Sequence, residues 1–290
     1  MRFAILILWL CHFLPFRVLG WLGNGLGYLL YWLASPRRFV GLTNLRLCFP
    51  NWSEAKRRRL IRRHFQLLTT SILERSYIFW SKPSRIKKII QIEGWEHIQA
   101  AENQAVILFA PHFVGLDMGG VRLNAENYPI ASIYSKQKSS LLDKYLLHGR
   151  TRFGATFLLS RQDSIRKILS AFKQGFAFYY LPDQDFGAKD ALFIPFFGVP
   201  AATINSMARM TQLAKAQLIP CITRRLPNGK GYVVRLYPAW ENYPSQDIHA
   251  DTRRMNAFIE ERVLEMPEQY FWLHKRFKTR PNGEARFYPE

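Results

Sequence analysis

From Phe3 to Ala34 the only strongly polar side chains are His12, Arg17 and Asn24. A stretch of that kind has to be covered, either by the rest of the chain or by lipid. Pro15-Phe16-Arg17 divides it into two pieces, each shorter than the roughly 20 apolar residues that span a bilayer. One tilted span followed by an interfacial segment fits, and so do two helices dipping into one leaflet. A cleaved signal peptide fits poorly, because no small-x-small site precedes the polar part. Arg37, Arg38, Arg46, Lys56-Arg57-Arg58-Arg59 and Arg62-Arg63 follow directly. The positive-inside rule keeps everything after them in the cytoplasm, and each basic residue near an anionic surface contributes on the order of 1 kcal/mol. Residues 1–35 therefore read as a membrane-attachment segment and 36–290 as the catalytic or binding domain. Gly23-x3-Gly27 matches the small-residue pattern of paired membrane helices. With Gly20 and Gly25 beside it, the same stretch also reads as a loosely wound helix.

Charge supports the surface attachment. The chain of 290 residues carries 41 Lys and Arg against 21 Asp and Glu, a formal charge of +20. Residues 1–90 hold sixteen basic side chains and two acidic ones, Glu54 and Glu74, so +14 of the excess lies there. Such a surface expects anionic company: nucleic acid, membrane, phosphorylated substrate or acidic protein. Apolar residues at 48% exclude a disordered chain. Cys11, Cys48 and Cys221 are scattered with no CxxC, which excludes a disulfide framework or zinc ribbon.

Beyond the basic cluster the pattern is layered. Ser53 has the position of an N-cap, and Ile61, Phe65, Leu68 and Ile72 follow on one helical face. Residues 105–110 and 176–181 are apolar runs with the length of buried strands, and 130–134 and 157–159 are shorter candidates. Helical stretches near 139–152 and 162–174 separate them. Ile204, Met207, Ala208, Thr211 and Lys215 define a further helix side. Residues 218–223 and 232–237 read as strands joined by Pro227-Asn228-Gly229. A helix over 248–265, a break at Pro267 and a short helix from Glu268 close the chain. The alternation predicts an α/β fold, a mixed sheet flanked by helices.

The strongest chemical signal is Pro111-His112-Phe113-Val114-Gly115-Leu116-Asp117, directly after the strand ending at Ala110. Loops at the carboxyl ends of strands are where α/β sheets place ligands. If His112 sits on the turn and Asp117 on the first turn of a helix, the carboxylate can hold one imidazole nitrogen. The other nitrogen is then available to take a proton from a hydroxyl. A hydrogen-bonded structural histidine explains the same residues without chemistry. No Gly-x-Ser-x-Gly elbow, phosphate loop, dinucleotide fingerprint or zinc helix is present. If His112 is a base, the nucleophile is therefore the substrate's own hydroxyl.

Three blocks of residues resemble a known family. His112-x4-Asp117 after a strand is similar to the first motif of the glycerolipid-type acyltransferases. Leu181-Pro182-Asp183-Gln184-Asp185-Phe186-Gly187 stands in the place of their third block but departs from its usual Phe-Pro-Glu-Gly-Thr-Arg. It looks instead like the late acyltransferases of lipid A biosynthesis, the Kdo-dependent lauroyl and myristoyl transferases of Gram-negative bacteria. Pro267 to Pro281, Gly149-Arg150-Thr151-Arg152 and Arg209 to Pro220 resemble that family as well, and the resemblance extends over essentially the whole chain.

The resemblance implies a glycerolipid-acyltransferase-like fold and a reaction. A fatty acyl chain, lauroyl or of similar length, passes from acyl carrier protein to the hydroxyl of a 3-hydroxyacyl chain on a Kdo-bearing lipid A precursor. The place is the cytoplasmic face of the inner membrane. Donor, acceptor and surface are all anionic, so the basic charge serves all three; no nucleic acid is implied, nor any metal or organic cofactor. His112 is expected to act as general base without an acyl-enzyme, and Asp117 to orient it. Arg150, Arg152 and Arg161 are expected to bind phosphate or stabilise charge as the thioester collapses. Asp183 and Asp185 position Arg150 or the acceptor, or simply cap a turn. Lys275, Arg276 and Lys278, set among aromatic residues, are expected to bind phosphate or the interface. The nearest rival is a CoA-dependent glycerol-phosphate or lysophospholipid acyltransferase. A second is a non-enzymatic membrane-bound nucleic-acid or scaffold protein using the arginine cluster.

Overall fold

Pro15 breaks the amino-terminal apolar stretch into two helices, α1 (Arg2–Cys11) and α2 (Phe16–Leu33). The computed structural model, which describes residues 2–160, 162–189 and 191–289, then adds α3 (Ser35–Cys48), the long α4 (Glu54–Trp80) and α5 (Pro83–Ile89). Ser53 caps α4 as expected, its hydroxyl accepting from the Lys56 amide at 3.2 Å, a contact of about 1 kcal/mol. Strands and helices alternate from there: β1 (Ile90–Glu93), α6 (Trp95–Gln99), β2 (Val106–Phe109), α7 (Leu116–Asn124), β3 (Ile130–Ile133), α8 (Ser140–Thr151), β4 (Thr156–Leu159), α9 (Ile165–Lys173) and β5 (Ala177–Tyr180). A hairpin of β6 (Ala191–Phe196) and β7 (Val199–Ile204) leads to α10 (Ser206–Ala214), β8 (Gln217–Arg225), β9 (Tyr232–Leu236) and α11 (Ile248–Glu265).

Seven strands form one mixed sheet in the order β1-β9-β8-β2-β5-β3-β4. The β8–β9 pair is antiparallel and the other five are parallel. The central strands are buried on both sides, and their alternation splits the core into two layers. Ile107, Phe109, Phe178 and Tyr180 face one layer with α9, α10 and α11. Val106, Leu108, Ala177 and Tyr179 face the other, with α7 and the carboxyl half of α4. β6 and β7 form a separate two-stranded sheet, closed by Phe197 and Gly198, both at positive φ, the geometry a two-residue hairpin turn requires.

Among the described residues no helix is long and apolar enough to cross a membrane, so the single tilted span is not built. α2 instead lays Leu19, Gly23, Gly27 and Tyr31, spaced four apart, inward along one face. The two glycines let it approach α4: a Cβ on Gly23 would lie 2.5 Å from the Thr70 Cα, and one on Gly27 2.4 Å from the Gln66 Cα. The small-residue pattern is thus used within the chain. Outward, Phe3, Phe13, Trp21, Trp32 and Leu33 are each more than half exposed. α1 and α2 are therefore packed onto the α/β body on one side and bare and apolar on the other.

Gly25 has open space around it, whereas Gly27 does not, so the same substitution should act with opposite sign at the two positions. Gly25→Ala is expected to raise the thermal unfolding midpoint of detergent-solubilised protein by about 0.5–1 kcal/mol in stability. Gly27→Ala is expected to lower it by about 1–3 kcal/mol. Equal effects at both positions would contradict the close packing of α2 on α4.

Candidate active site

β2 and β5 are neighbours in parallel register, with Phe109 opposite Tyr180, and the Ala110 amide extends the ladder to the Tyr180 carbonyl at 2.9 Å. Three residues beyond that matched pair, one strand presents His112 and the other Asp183. Their side chains meet: His112 Nδ1 lies 2.6 Å from Asp183 Oδ1, and the His112 amide donates to Asp183 Oδ2 at 3.0 Å. With Nδ1 on a carboxylate, Nε2 is the nitrogen available for proton transfer. The imidazole is about a fifth exposed and Asp183 is buried. Burial alone would push the Asp183 carboxyl up. The neighbouring His112, its two hydrogen bonds and Arg276 outweigh burial and hold the carboxyl below its usual range.

The carboxyl-terminal segment clamps this loop. The Phe271 amide donates to the His112 carbonyl and the Val114 amide to the Gln269 carbonyl, both at 2.9 Å. Phe113 and Tyr270 form an isolated bridge with their rings packed edge to face. Asn44 of α3 donates to the Trp272 and His274 carbonyls at 2.7 and 2.8 Å, fixing the segment from behind.

Asp117 is engaged elsewhere. It lies in the first turn of α7, and its two oxygens take Arg75 of α4 at 2.6 Å and Arg150 of α8 at 3.2 Å. The expectation that Asp117 orients His112 is therefore corrected: two guanidiniums occupy that carboxylate, and Asp183 holds the imidazole. Burial would raise the Asp117 carboxyl, but Arg75 and Arg150 draw it below the ordinary value. A narrow, mostly apolar pocket of about 70 Å³ lies beside the cluster, lined by Asp117, Gly120, Ile133, Arg150, Tyr179 and Leu181 among others.

The remaining expected residues divide. Arg150 joins the Asp117 cluster and lies over the Tyr134 ring. Arg152 donates to the Ile78 carbonyl at 3.1 Å and packs on Phe153, a structural position. Arg161 lies outside the described residues. Asp185 takes the turn-capping role instead. It is buried, accepting from the Thr279 amide and hydroxyl at 2.7 and 2.8 Å and from the Gly187 amide at 2.9 Å. Arg276 is corrected as well: 3% exposed, it donates to the Ala202 carbonyl and the Thr203 hydroxyl and cannot meet a phosphate at the surface. Lys275 reaches the Pro289 carbonyl at 2.8 Å, and Lys278 is exposed.

Sequence reasoning missed Arg75 altogether and gave Asp183 a different task. A signal for Asp183 was present, since Asp183 and His112 stand at the same offset beyond two buried strands. Arg75 gave none, being one more basic residue in a basic helix. What these residues offer chemically is a charge-supported imidazole with one nitrogen not held by Asp183 and, five residues further along the chain at Asp117, two cations sharing one carboxylate.

The family model described as bacterial lipid A biosynthesis acyltransferase matches residues 2–279. Among curated proteins, the chain is 32% identical over 289 residues to a lipid A biosynthesis palmitoleoyltransferase of Escherichia coli K12, covering 99% of this chain and 93% of that one. It is 33% identical to the lipid A biosynthesis lauroyltransferase of the same organism, over 96% and 90% of the two chains. A lipid A biosynthesis acyltransferase of Haemophilus influenzae is 34% identical, over 97% and 88%. Among solved structures, the 1-acyl-sn-glycerophosphate acyltransferase of Thermotoga maritima aligns at a TM-score of 0.40 and 14% identity, over 88% of this chain and 99% of that one.

Two histidines, His64 fully buried and His274 half-buried, give the fold a pH signature. The Asp185 amide donates to His274 Nε2 at 3.0 Å, and burial with the Arg276 charge lowers the His274 pKa from 6.5 to about 4. Burial lowers His64 likewise to about 4. Between pH 4 and 6.5 the unfolded chain binds protons that the folded chain refuses, so stability falls as pH drops through that window. The depressed Asp117 and Asp183 carboxyls lose their contribution only below it. The buried Glu74 carboxyl, raised by burial, works against this slope, so the test is the difference between proteins in thermal unfolding across the window. The slope should change in His274→Gln toward greater stability at low pH, and an identical slope in that variant would contradict a neutral His274 imidazole.

Proposed function

We propose a specific reaction for this chain, which belongs to the bacterial lipid A biosynthesis acyltransferase family. It moves a fatty acyl group, lauroyl or of similar length, from acyl carrier protein to the hydroxyl of a 3-hydroxyacyl chain on a Kdo-bearing lipid A precursor. The observation that carries the chemistry is the His112–Asp183 pair, with Nδ1 held and Nε2 available.

His112 Nε2 takes the hydroxyl proton as the oxygen attacks the thioester carbonyl. Asp183 stabilises the imidazolium that forms, a buried carboxylate at 2.6 Å being well placed to do so. The tetrahedral intermediate carries an oxyanion, which Arg75 and Arg150, gathered on Asp117 five residues beyond His112, are the cations to stabilise. The carbon–sulfur bond then breaks, and the imidazolium returns its proton to the departing thiolate. No acyl-enzyme forms: Cys11, Cys48 and Cys221 are all buried, and burial raises the thiols of Cys48 and Cys221. The acceptor's hydroxyl is thus the nucleophile. Residues 1–35 attach the protein to the cytoplasmic face of the inner membrane and 36–290 form the acyltransferase domain. The bare apolar sides of α1 and α2 and the basic residues after them favour that placement.

The test is mass spectrometry of the Kdo-bearing tetra-acylated precursor after incubation with acyl carrier proteins of graded chain length. A gain of one acyl group is expected. His112→Ala should lower kcat by about 10²–10⁴, and Asp183→Asn should lower kcat with little change in KM. Asp117→Asn, which removes the carboxylate that positions Arg75 and Arg150, should also lower kcat, by a smaller factor than His112→Ala. Full activity in Asp183→Asn with none in Asp117→Asn would reverse the assignment. No gain with any donor would remove the reading.

A further inference from the structure

A second concave site lies away from His112, where α2, α4 and the β8–β9 turn come together. A cleft of about 280 Å³ is lined by Arg17, Trp21, Asn24, Arg63, Arg225 and Asn228. Three guanidiniums converge there. Arg225 is buried at its floor, where Nε and Nη2 are bound by Glu74 of α4 at 3.0 and 2.7 Å. Glu74 is itself fully buried and also accepts from the Tyr232 hydroxyl, so it is spent on Arg225 and cannot neutralise the other two. Arg63 and Arg17 are exposed at the rim. Arg63 donates to Asn24 Oδ1 at 3.0 Å and to Gln66 Oε1 at 3.4 Å, both neutral acceptors.

Two glycines line the cleft. A Cβ on Gly20 would sit 3.6 Å from Arg225 Nη2, over the floor. Gly229, at φ +68°, lies so close to Arg17 that a Cβ would come within 2.8 Å of its amide nitrogen, which brings the Asn228 turn against the base of α2. Burial and the nearby Arg225 charge lower the Arg63 pKa, and the Glu268 charge opposes them. The rim has a second character. Trp21 is 72% exposed, and Leu22 and Leu26 beside it are 46% exposed, so the cationic cleft opens at the edge of the bare apolar face of α2.

We propose that this cleft is a binding site for the phosphate monoester headgroup of an amphiphile whose hydrocarbon lies against the apolar face of α1 and α2. Converging guanidiniums suit the doubly charged monoester better than a singly charged diester, and the apolar rim favours a lipid phosphate over a free one. The inference rests on the membrane attachment given above. The site is distinct from the reaction centre: Arg63 and Arg75 are twelve residues apart on α4, about 18 Å along its axis.

Co-sedimentation of the full-length protein with phosphatidylcholine vesicles tests it, doped with either phosphatidic acid, a monoester, or phosphatidylglycerol, a diester, at matched surface charge. Wild type should prefer the phosphatidic acid vesicles by about tenfold. Arg17→Gln with Arg63→Gln should bring the two lipids to parity. Arg58→Gln with Arg59→Gln removes the same charge from another part of α4 and should keep the preference. Arg63→Gln alone, at an exposed position, should give an intermediate loss with an unchanged unfolding midpoint. Parity in the wild type, or equal loss in the Arg58/Arg59 control, would overturn the proposal and leave the membrane reading standing. Stabilisation by inorganic phosphate without any preference for phosphatidic acid would also overturn it, in favour of a free-phosphate site. Wild type that sediments with neither vesicle would remove membrane attachment and this inference together.

Discussion

The hydrogen bond from the Ala110 amide to the Tyr180 carbonyl closes the β2–β5 ladder at its carboxyl end, and the register it fixes sets everything at the site. Side chains in a strand alternate faces, so a slip of one residue would exchange Ile107 and Phe109 with Val106 and Leu108 between the two core layers. Such a slip would bury the wrong set on both sides and shift His112 against Asp183 by a residue. The full burial of all four β2 residues makes the slip costly. The precision of a 2.6 Å contact between side chains 71 positions apart thus comes from hydrophobic packing some distance below it.

α4 does for the cations what the sheet does for the imidazole. Glu74 is inside, bound by two nitrogens of Arg225 and by the Tyr232 hydroxyl, and ties the helix to β8 and β9. Its neighbour Arg75 consequently leaves the helix toward Asp117. Removing one partner of a buried pair costs about 3–5 kcal/mol because the other charge remains in the core. The orientation of α4 is therefore fixed by a group that touches neither His112 nor Asp117.

Much of the fold was legible in the sequence because its signals are local. Apolar runs of strand length became β2, β3, β4 and β5, the Asn228 turn joined β8 to β9, and Ser53 capped α4. The β6–β7 hairpin was not read, since Pro195 and Pro200 sit in its strands and face each other in the register, and proline in a strand is normally evidence against one. At the site the same distinction holds. His112 and its place after β2 were readable from adjacent residues. The partner was misread because spacing along the chain suggested Asp117, while contact depends on which strand lies beside β2. Arg276 read as a surface cation, and only the packing of the tail under β7 shows it buried.

Residues 269–279 are made long after His112 and Asp183, yet they complete the site: the Gln269 and Phe271 backbone bonds hold the His112 loop, and Thr279 holds Asp185. A nascent chain that has already assembled β2 and β5 still lacks this clasp until residues 269–279 have left the ribosome. Ordering of the His112 loop therefore waits on a segment far downstream of both side chains. A protease nick in that segment would release the His112 loop while leaving the central sheet hydrogen-bonded.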